Sequence, residues 1–216
     1  MAKCAKCAKQ PARRECAALG ERICPLCCAR LRMLVLACPE RCPYLQDARR
    51  TTGERRMGQL LAHLMAQGQG GLVDVLTRMS PLLAFLERAI VEVQRQRFHD
   101  LTDDEVLAGL ENAIRTYETL ERGIIYEHRS ESPRVHAVTE SLLKALERVE
   151  KDLAERGARI RASEALACLR VLAESVRAVR EEREAQAYLR VAALFQPYPK
   201  SESRLIVVPE LSLIHI

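Results

Sequence analysis

Residues 23–28 read ICPLCC. The pair Cys24 and Cys27 is followed at once by Cys28, and the assignment of that third cysteine decides how the N-terminal part is built. Two intervening residues let a backbone turn bring both sulfurs of a Cys-x2-Cys pair to one ion. Adjacent cysteines share an ion poorly. In a strand they face opposite sides, and in a helix they diverge by about 100°. Cys28 is therefore placed to serve something beside whatever Cys24 and Cys27 hold.

Working outward, eight of the nine cysteines fall between positions 4 and 42, and Cys168 stands apart. A second Cys-x2-Cys pair, Cys4 and Cys7, joins Cys24 and Cys27 to supply the four thiolates of a closed structural zinc site. The remaining four, Cys16, Cys28, Cys38 and Cys42, form a second complete set. Cys16 lies between the knuckles of the first site, so the two sites interleave along the chain. A segment of about 45 residues has little core of its own, and interleaved ions would hold it together. Cys24, Cys38 and Cys42 each precede a proline, which pushes the cysteine into extended backbone. We expect two Zn²⁺ ions, a short helix from Pro43, and another across residues 29–37. An iron–sulfur cluster could use the same thiolates, but the tight ferredoxin run of cysteines is absent. A thioredoxin-like dithiol lacks its βαβ pattern.

The order Cys4-x2-Cys7-x8-Cys16-x7-Cys24-x2-Cys27 resembles the first part of B-box zinc modules, and is similar to HIT-type and MYND-type fingers. The resemblance implies a cross-braced module in which alternate ligand pairs share an ion. Leu19 stands where those families place a further ligand, and in that scheme Cys28 takes its role while Cys38 and Cys42 close the second site. The chain also resembles bacterial proteins whose cysteine-rich start ends in CPxxCxYL, here CPERCPYL at residues 38–45, ahead of helices. That second resemblance implies no particular activity.

Beyond residue 48 the pattern turns helical. An Arg-rich stretch at residues 48–56 leads into Met57, Leu60, Leu61 and Leu64 at helical spacing. Ser80-Pro81 reads as a helix start, dividing residues 72–98 into two helices or one kinked helix. Thr102 and Glu105 form a capping-box pattern. Ser132-Pro133 opens another helix, Gly157 closes it, and Ser163 is expected to cap the next. Its apolar stripe fades across residues 180–186 and returns at Tyr188–Phe195, predicting a bend or overhang. Cys168, between Leu166 and Leu169, reads as a core residue. The expected fold is mainly α: a two-zinc module (1–48), an antiparallel α-helical bundle (49–197) and an extended tail (198–210). One back-translation of the final six residues, LSLIHI (211–216), resembles the transposon end used in sequencing libraries. They are expected to be adapter read-through in place of a native C-terminus.

Composition narrows the function. Hydrophobic residues make up 48% of the 216, with no Trp, which suits an aliphatic helical core. No apolar run reaches membrane-spanning length, and the basic start lacks a signal peptide's apolar stretch. A cytoplasmic protein with reduced thiols is expected. There is no HExxH, no phosphate loop and no Glu-x-x-His pair, so no enzyme is expected. His63, His99, His128 and His136 read as surface or helix-end residues. The first 60 residues hold 13 Lys or Arg against 5 Asp or Glu, an excess that partly offsets thiolate charge. Arg49, Arg50, Arg55 and Arg56 are the candidates for nucleic-acid contact, although stacking aromatics are scarce. The sequence points to a non-enzymatic interaction or scaffold protein with structural zinc and a protein partner. The alternatives are a nucleic-acid-associated regulator or a thiol and metal sensor.

Overall fold

The computed structural model describes residues 2–180 and 184–198. The expected tail beyond Tyr198, including its apolar segment 204–209, and the adapter-like residues 211–216 lie outside the described residues. Among those described, the chain is mainly helical with one two-stranded sheet.

The N-terminal segment is built from turns. Cys4 donates its amide to Gln10 O, and Ala8 returns to Cys4 O, closing the first knuckle. Strands β1 (Arg14–Cys16) and β2 (Glu21–Ile23) pair antiparallel, with Cys16 opposite Glu21. Gly20, at φ 68°, turns the chain between them, a left-handed conformation that favours glycine. Helix α1 (Pro25–Leu31) follows directly. This corrects the expected helix over residues 29–37: the helix starts at Pro25 and carries Cys27 and Cys28 itself. Proline suits a first helical turn, where its missing N–H leaves nothing unpaired. Past Leu31, Val35 and Leu36 both bond back to Leu31 O in a compact turn.

Helix α2 (Pro43–Ala66) begins as expected at Pro43 but does not stop early, and the Arg-rich stretch forms part of its 24 residues. Ser80-Pro81 marks two helices, α3 (Leu72–Arg78) and α4 (Ser80–Gln96). Helix α5 (Asp103–Glu121) has both bonds of the predicted capping box: Glu105 N donates to Thr102 Oγ1, and Thr102 N donates to Glu105 Oε2. Helix α6 (Pro133–Glu155) opens after Ser132. For helix α7 (Ala162–Val179) the expected cap is wrong. Arg161 takes the N-cap position, its N–H donating to Glu164 Oε2, and Ser163 lies inside the helix. Helix α8 (Ala187–Phe195) is separate from α7, so the fading stripe marks a break between helices.

Helix α5 packs most extensively on α7 and α6, while α4 rests on α6 and α2 on α7. Close approach of α5 and α6 depends on Gly109, where an added Cβ would fall 2.6 Å from Val138 Cγ1. Cys168 is fully buried in this core, as expected. Polar groups seat the last helix. Asp103 accepts from Tyr188 N at 2.7 Å and Leu189 N at 3.2 Å, capping α8 from the start of α5. Burial pushes the Asp103 carboxyl up to about 6 against the pull of those two amides. Buried Glu87 on α4 pairs with Arg56 on α2 and accepts from Tyr188 Oη at 3.0 Å.

The N-terminal segment meets the helices through Arg95 of α4. Its Nε donates to Met33 O at 2.9 Å and its Nη1 to Pro197 O at 2.8 Å. Met33 and Leu34 enter the main core. Ile23 and Leu36 instead form a small separate cluster with Cys4, Cys16, Cys24 and Cys28, while Cys42 joins the main core.

Candidate metal centre

Cys24 positions the first site. It is the N-cap of α1, and its Sγ accepts from Cys27 N at 3.3 Å. Helix geometry then turns Cys27 back toward Cys24. The first knuckle arrives from the other side, where Ala5 N bonds to Arg22 O at the end of the β-hairpin. The ligand atoms of Cys4, Cys7, Cys24 and Cys27 all lie within 4.8 Å of one another. Cys7 Sγ and Cys24 Sγ are 3.9 Å apart. A tetrahedron with Zn–S bonds of about 2.3 Å has edges of about 3.8 Å, so the spacing fits a metal and is far from a disulfide of about 2.05 Å. Cys4 and Cys24 are buried, whereas Cys7 and Cys27 are partly open to solvent.

The thiols of this group are electrostatically unequal. At Cys4, burial resists ionisation, but backbone N–H groups of Cys24, Cys7 and Lys6 outweigh it and bring the thiol down to about 6. Burial, reinforced by Cys24, Cys7 and Cys4, pushes Cys27 up to about 12. Four adjacent thiolates repel one another, and a divalent cation is the charge that lets them coexist.

The second predicted set is not gathered in the same way. Among the described residues, Cys16, Cys28, Cys38 and Cys42 form no such convergent group. They do share a neighbourhood. Burial raises the Cys38 thiol, Met33 N–H opposes it, and charge on Cys42, Cys16 and Cys28 raises it further. Cys28 follows Cys27 on α1 but leaves the first site, as adjacent helical positions must. It is buried, and Arg32 Nη2 reaches its sulfur at 3.5 Å. Cys42 caps α2 with its backbone alone, its side chain making no cap bond.

The arginine candidates scatter over α2. Arg49 donates to Leu194 O at 2.6 Å and pairs with Glu40. Arg50 pairs with Asp47 on the surface, and Arg56 is held by Glu87. Arg55 is exposed and lines a cleft against α1. Three of the four are thus engaged within the chain. His63 is no plain surface residue: its Nε2 lies 2.6 Å from Glu174 Oε2, joining α2 to α7. Sequence reasoning missed Arg95 and Glu87, since charged residues on helices read as solvent-facing, and it missed Arg32 in the turn after α1. Val91, an apolar residue one helical turn from both Glu87 and Arg95, was a weak local signal on α4.

No protein-family model matches the chain, and no curated protein or solved structure matches it either.

Proposed function

We propose that this is a non-enzymatic, cytoplasmic interaction or scaffold protein whose N-terminal module is held by structural zinc. One observation carries the reading: four cysteine sulfurs from two knuckles converge within 4.8 Å. All four positions around an ion there are filled by protein, which leaves none open for substrate and marks a structural site. Thiolate ligands and tetrahedral spacing favour Zn²⁺ over harder ions. The second ion at Cys16, Cys28, Cys38 and Cys42 belongs to the same proposal, supported by the nearness of Cys42, Cys16 and Cys28 to Cys38. Bound metal would then knit an interleaved module to an antiparallel helical bundle.

The partner side of the proposal draws on the link between α5 and α6. Ile125 is 94% exposed and Tyr126 60%, beside exposed Ile124 and Leu120. A contiguous exposed apolar group marks contact surfaces more often than an isolated side chain does. No helix among the described residues is long and apolar enough to cross a membrane.

Metal analysis of the purified full chain tests the reading. About two zinc per chain is expected. A stoichiometry of one would remove the second site. A metal-free protein with the same helical content would overturn the structural-zinc reading altogether.

A further inference from the structure

A cleft of about 540 Å³ runs between α1 on one side and α2 with α8 on the other. That is the size of a small-molecule site. Its walls are unusually basic. Arg30 and Arg32 come from α1 and the turn after it, Arg55 and Arg56 from α2, and Arg190 from α8, against a single carboxylate among the described residues, Glu184.

The charges are not equally available. Arg56 is neutralised by Glu87, and Arg190 pairs with Glu184. Arg30 and Arg55 are exposed, and among the described residues neither makes an ion pair or a side-chain hydrogen bond. Arg32 is 7% exposed. Its Nη2 rests on the Cys28 sulfur, while its Nε is buried without any partner. An unpaired buried N–H is rare in folded proteins and calls for a missing acceptor or a role. Among the described residues, three guanidinium groups without a carboxylate partner therefore line one concavity from two parts of the chain. Leu26, Val179, Val191 and Leu194 supply an apolar part of the lining.

We propose that this cleft binds a small phosphate-bearing organic anion through Arg30, Arg32 and Arg55. Guanidinium presents a planar fork of N–H donors that matches phosphate oxygens two at a time. Two free forks, with the N–H groups of Arg32 that Cys28 does not occupy, suit a doubly charged phosphate or a pyrophosphate better than a single carboxylate. Thr52, also at the cleft wall, adds a neutral hydroxyl donor. The apolar part of the lining fits the organic part of the ligand. Because the cleft is closed on one side by α1, binding there would stabilise the docking of the cysteine module on the helices. The inference goes beyond the structural-zinc reading, and its fate is separable from it.

The test is equilibrium binding of inorganic pyrophosphate, and in parallel of a nucleoside triphosphate, to the metal-loaded full chain. Calorimetry is run alongside zinc analysis of the same samples. Saturable binding of one molecule per chain is expected for both probes. The double variant Arg30→Ala, Arg55→Ala should weaken it by about tenfold or more, with zinc content and helical circular dichroism unchanged. Both substitutions are at exposed positions, so loss of folding is not expected to obscure the result. Should Arg30→Ala, Arg55→Ala still perturb folding, Arg30→Lys, Arg55→Lys keeps the charge and removes the forks, and is expected to weaken both probes as well. No saturation at millimolar pyrophosphate would overturn the proposal, as would binding insensitive to both double variants. Tight binding of a long oligonucleotide without either small probe would also overturn it, in favour of an extended polyanion surface. Loss of zinc with anion binding intact would sink the metal reading alone.

Discussion

Replacing Arg95 with alanine should loosen the cysteine module from the helices. Arg95 is buried, and its guanidinium bonds Met33 O through Nε at 2.9 Å and Pro197 O through Nη1 at 2.8 Å. Ala193 O and Gln196 O lie farther, at 3.4 Å from Nη2. A hydrogen bond with one charged partner contributes about 1.5–3 kcal/mol net. Met33 O, an acceptor buried by the contact, would be left without a donor. Water can replace the arginine at the more open Pro197 end. The full value at Met33 and a fraction at Pro197 give a loss of about 3–4 kcal/mol. That is a large share of the roughly 5–15 kcal/mol that holds a typical domain. Arg95→Lys keeps the charge but offers a point donor that reaches one carbonyl, so about half the loss is expected. Urea unfolding of the zinc-loaded chain, followed by far-ultraviolet circular dichroism, measures both variants. Zinc release to a chelator should also quicken in Arg95→Ala, because the Met33 turn borders the cysteine set. A change below about 0.5 kcal/mol, the scatter of ordinary surface substitutions, would refute the reasoning. So would a lysine variant as damaged as the alanine one.

Three further outcomes follow from the packing and the cysteines. On the proposed two-ion arrangement, Cys27→Ser should empty the first site while Cys28→Ser empties only the second, read as zinc per chain; a Cys28→Ser protein that keeps both ions would show that Cys28 is a spare thiol and no ligand. Gly109→Ala sets a helix-propensity gain of about 1 kcal/mol against overpacking of about 1–3 kcal/mol. Because the new Cβ would lie 2.6 Å from Val138 Cγ1, a net loss is expected in thermal unfolding, and a stabilised variant would contradict the close α5–α6 contact. Asp103 has its carboxyl raised to about 6, first by burial. A raised acid takes up its proton more readily in the folded chain, so protonation as pH falls through 6 toward the ordinary carboxyl range near 4 favours folding. The stability of the wild type relative to Asp103→Asn should therefore rise across that interval. A flat difference would show that the carboxylate is not desolvated.

Much of the architecture was readable because its signals are local. Thr102 and Glu105 announce a helix start within four residues, and the prolines at 25, 43, 81 and 133 lie in first helical turns as their chemistry requires. The first metal set was equally legible, since a Cys-x2-Cys spacing acts through one turn of backbone. The helix carrying Cys27 and Cys28 was misplaced, because its N-cap is a thiol that the usual oxygen-capping signals do not include. Ser163 misled for the opposite reason: a good capping residue lost to Arg161, where Glu164 could reach back to the amide. Long-range polar contacts were invisible. Glu87, Gln94 and Arg95 fall on the side of α4 opposite its main apolar stripe, a pattern that normally means solvent. Here α2, α8 and the Met33 turn cover that side, and no periodicity in α4 alone reports what lies across from it.

The separateness of the cluster around Ile23 and Leu36 has a consequence for synthesis. The cysteines leave the ribosome long before α8, whose carbonyls help to hold Arg95. At about 5–20 residues per second, the wait lasts roughly ten to thirty seconds. During that time the nascent segment has only its few apolar contacts and its sulfurs to keep it folded. Metal acquired early would protect the thiols from oxidation and wrong pairing until the helices close over them. Zinc supplied only after release would meet a chain whose helices had already formed around an unformed docking partner. Growth in zinc-poor medium should therefore lower the yield of folded protein more than later chelation does, because the missing ion acts on assembly before it acts on the finished molecule.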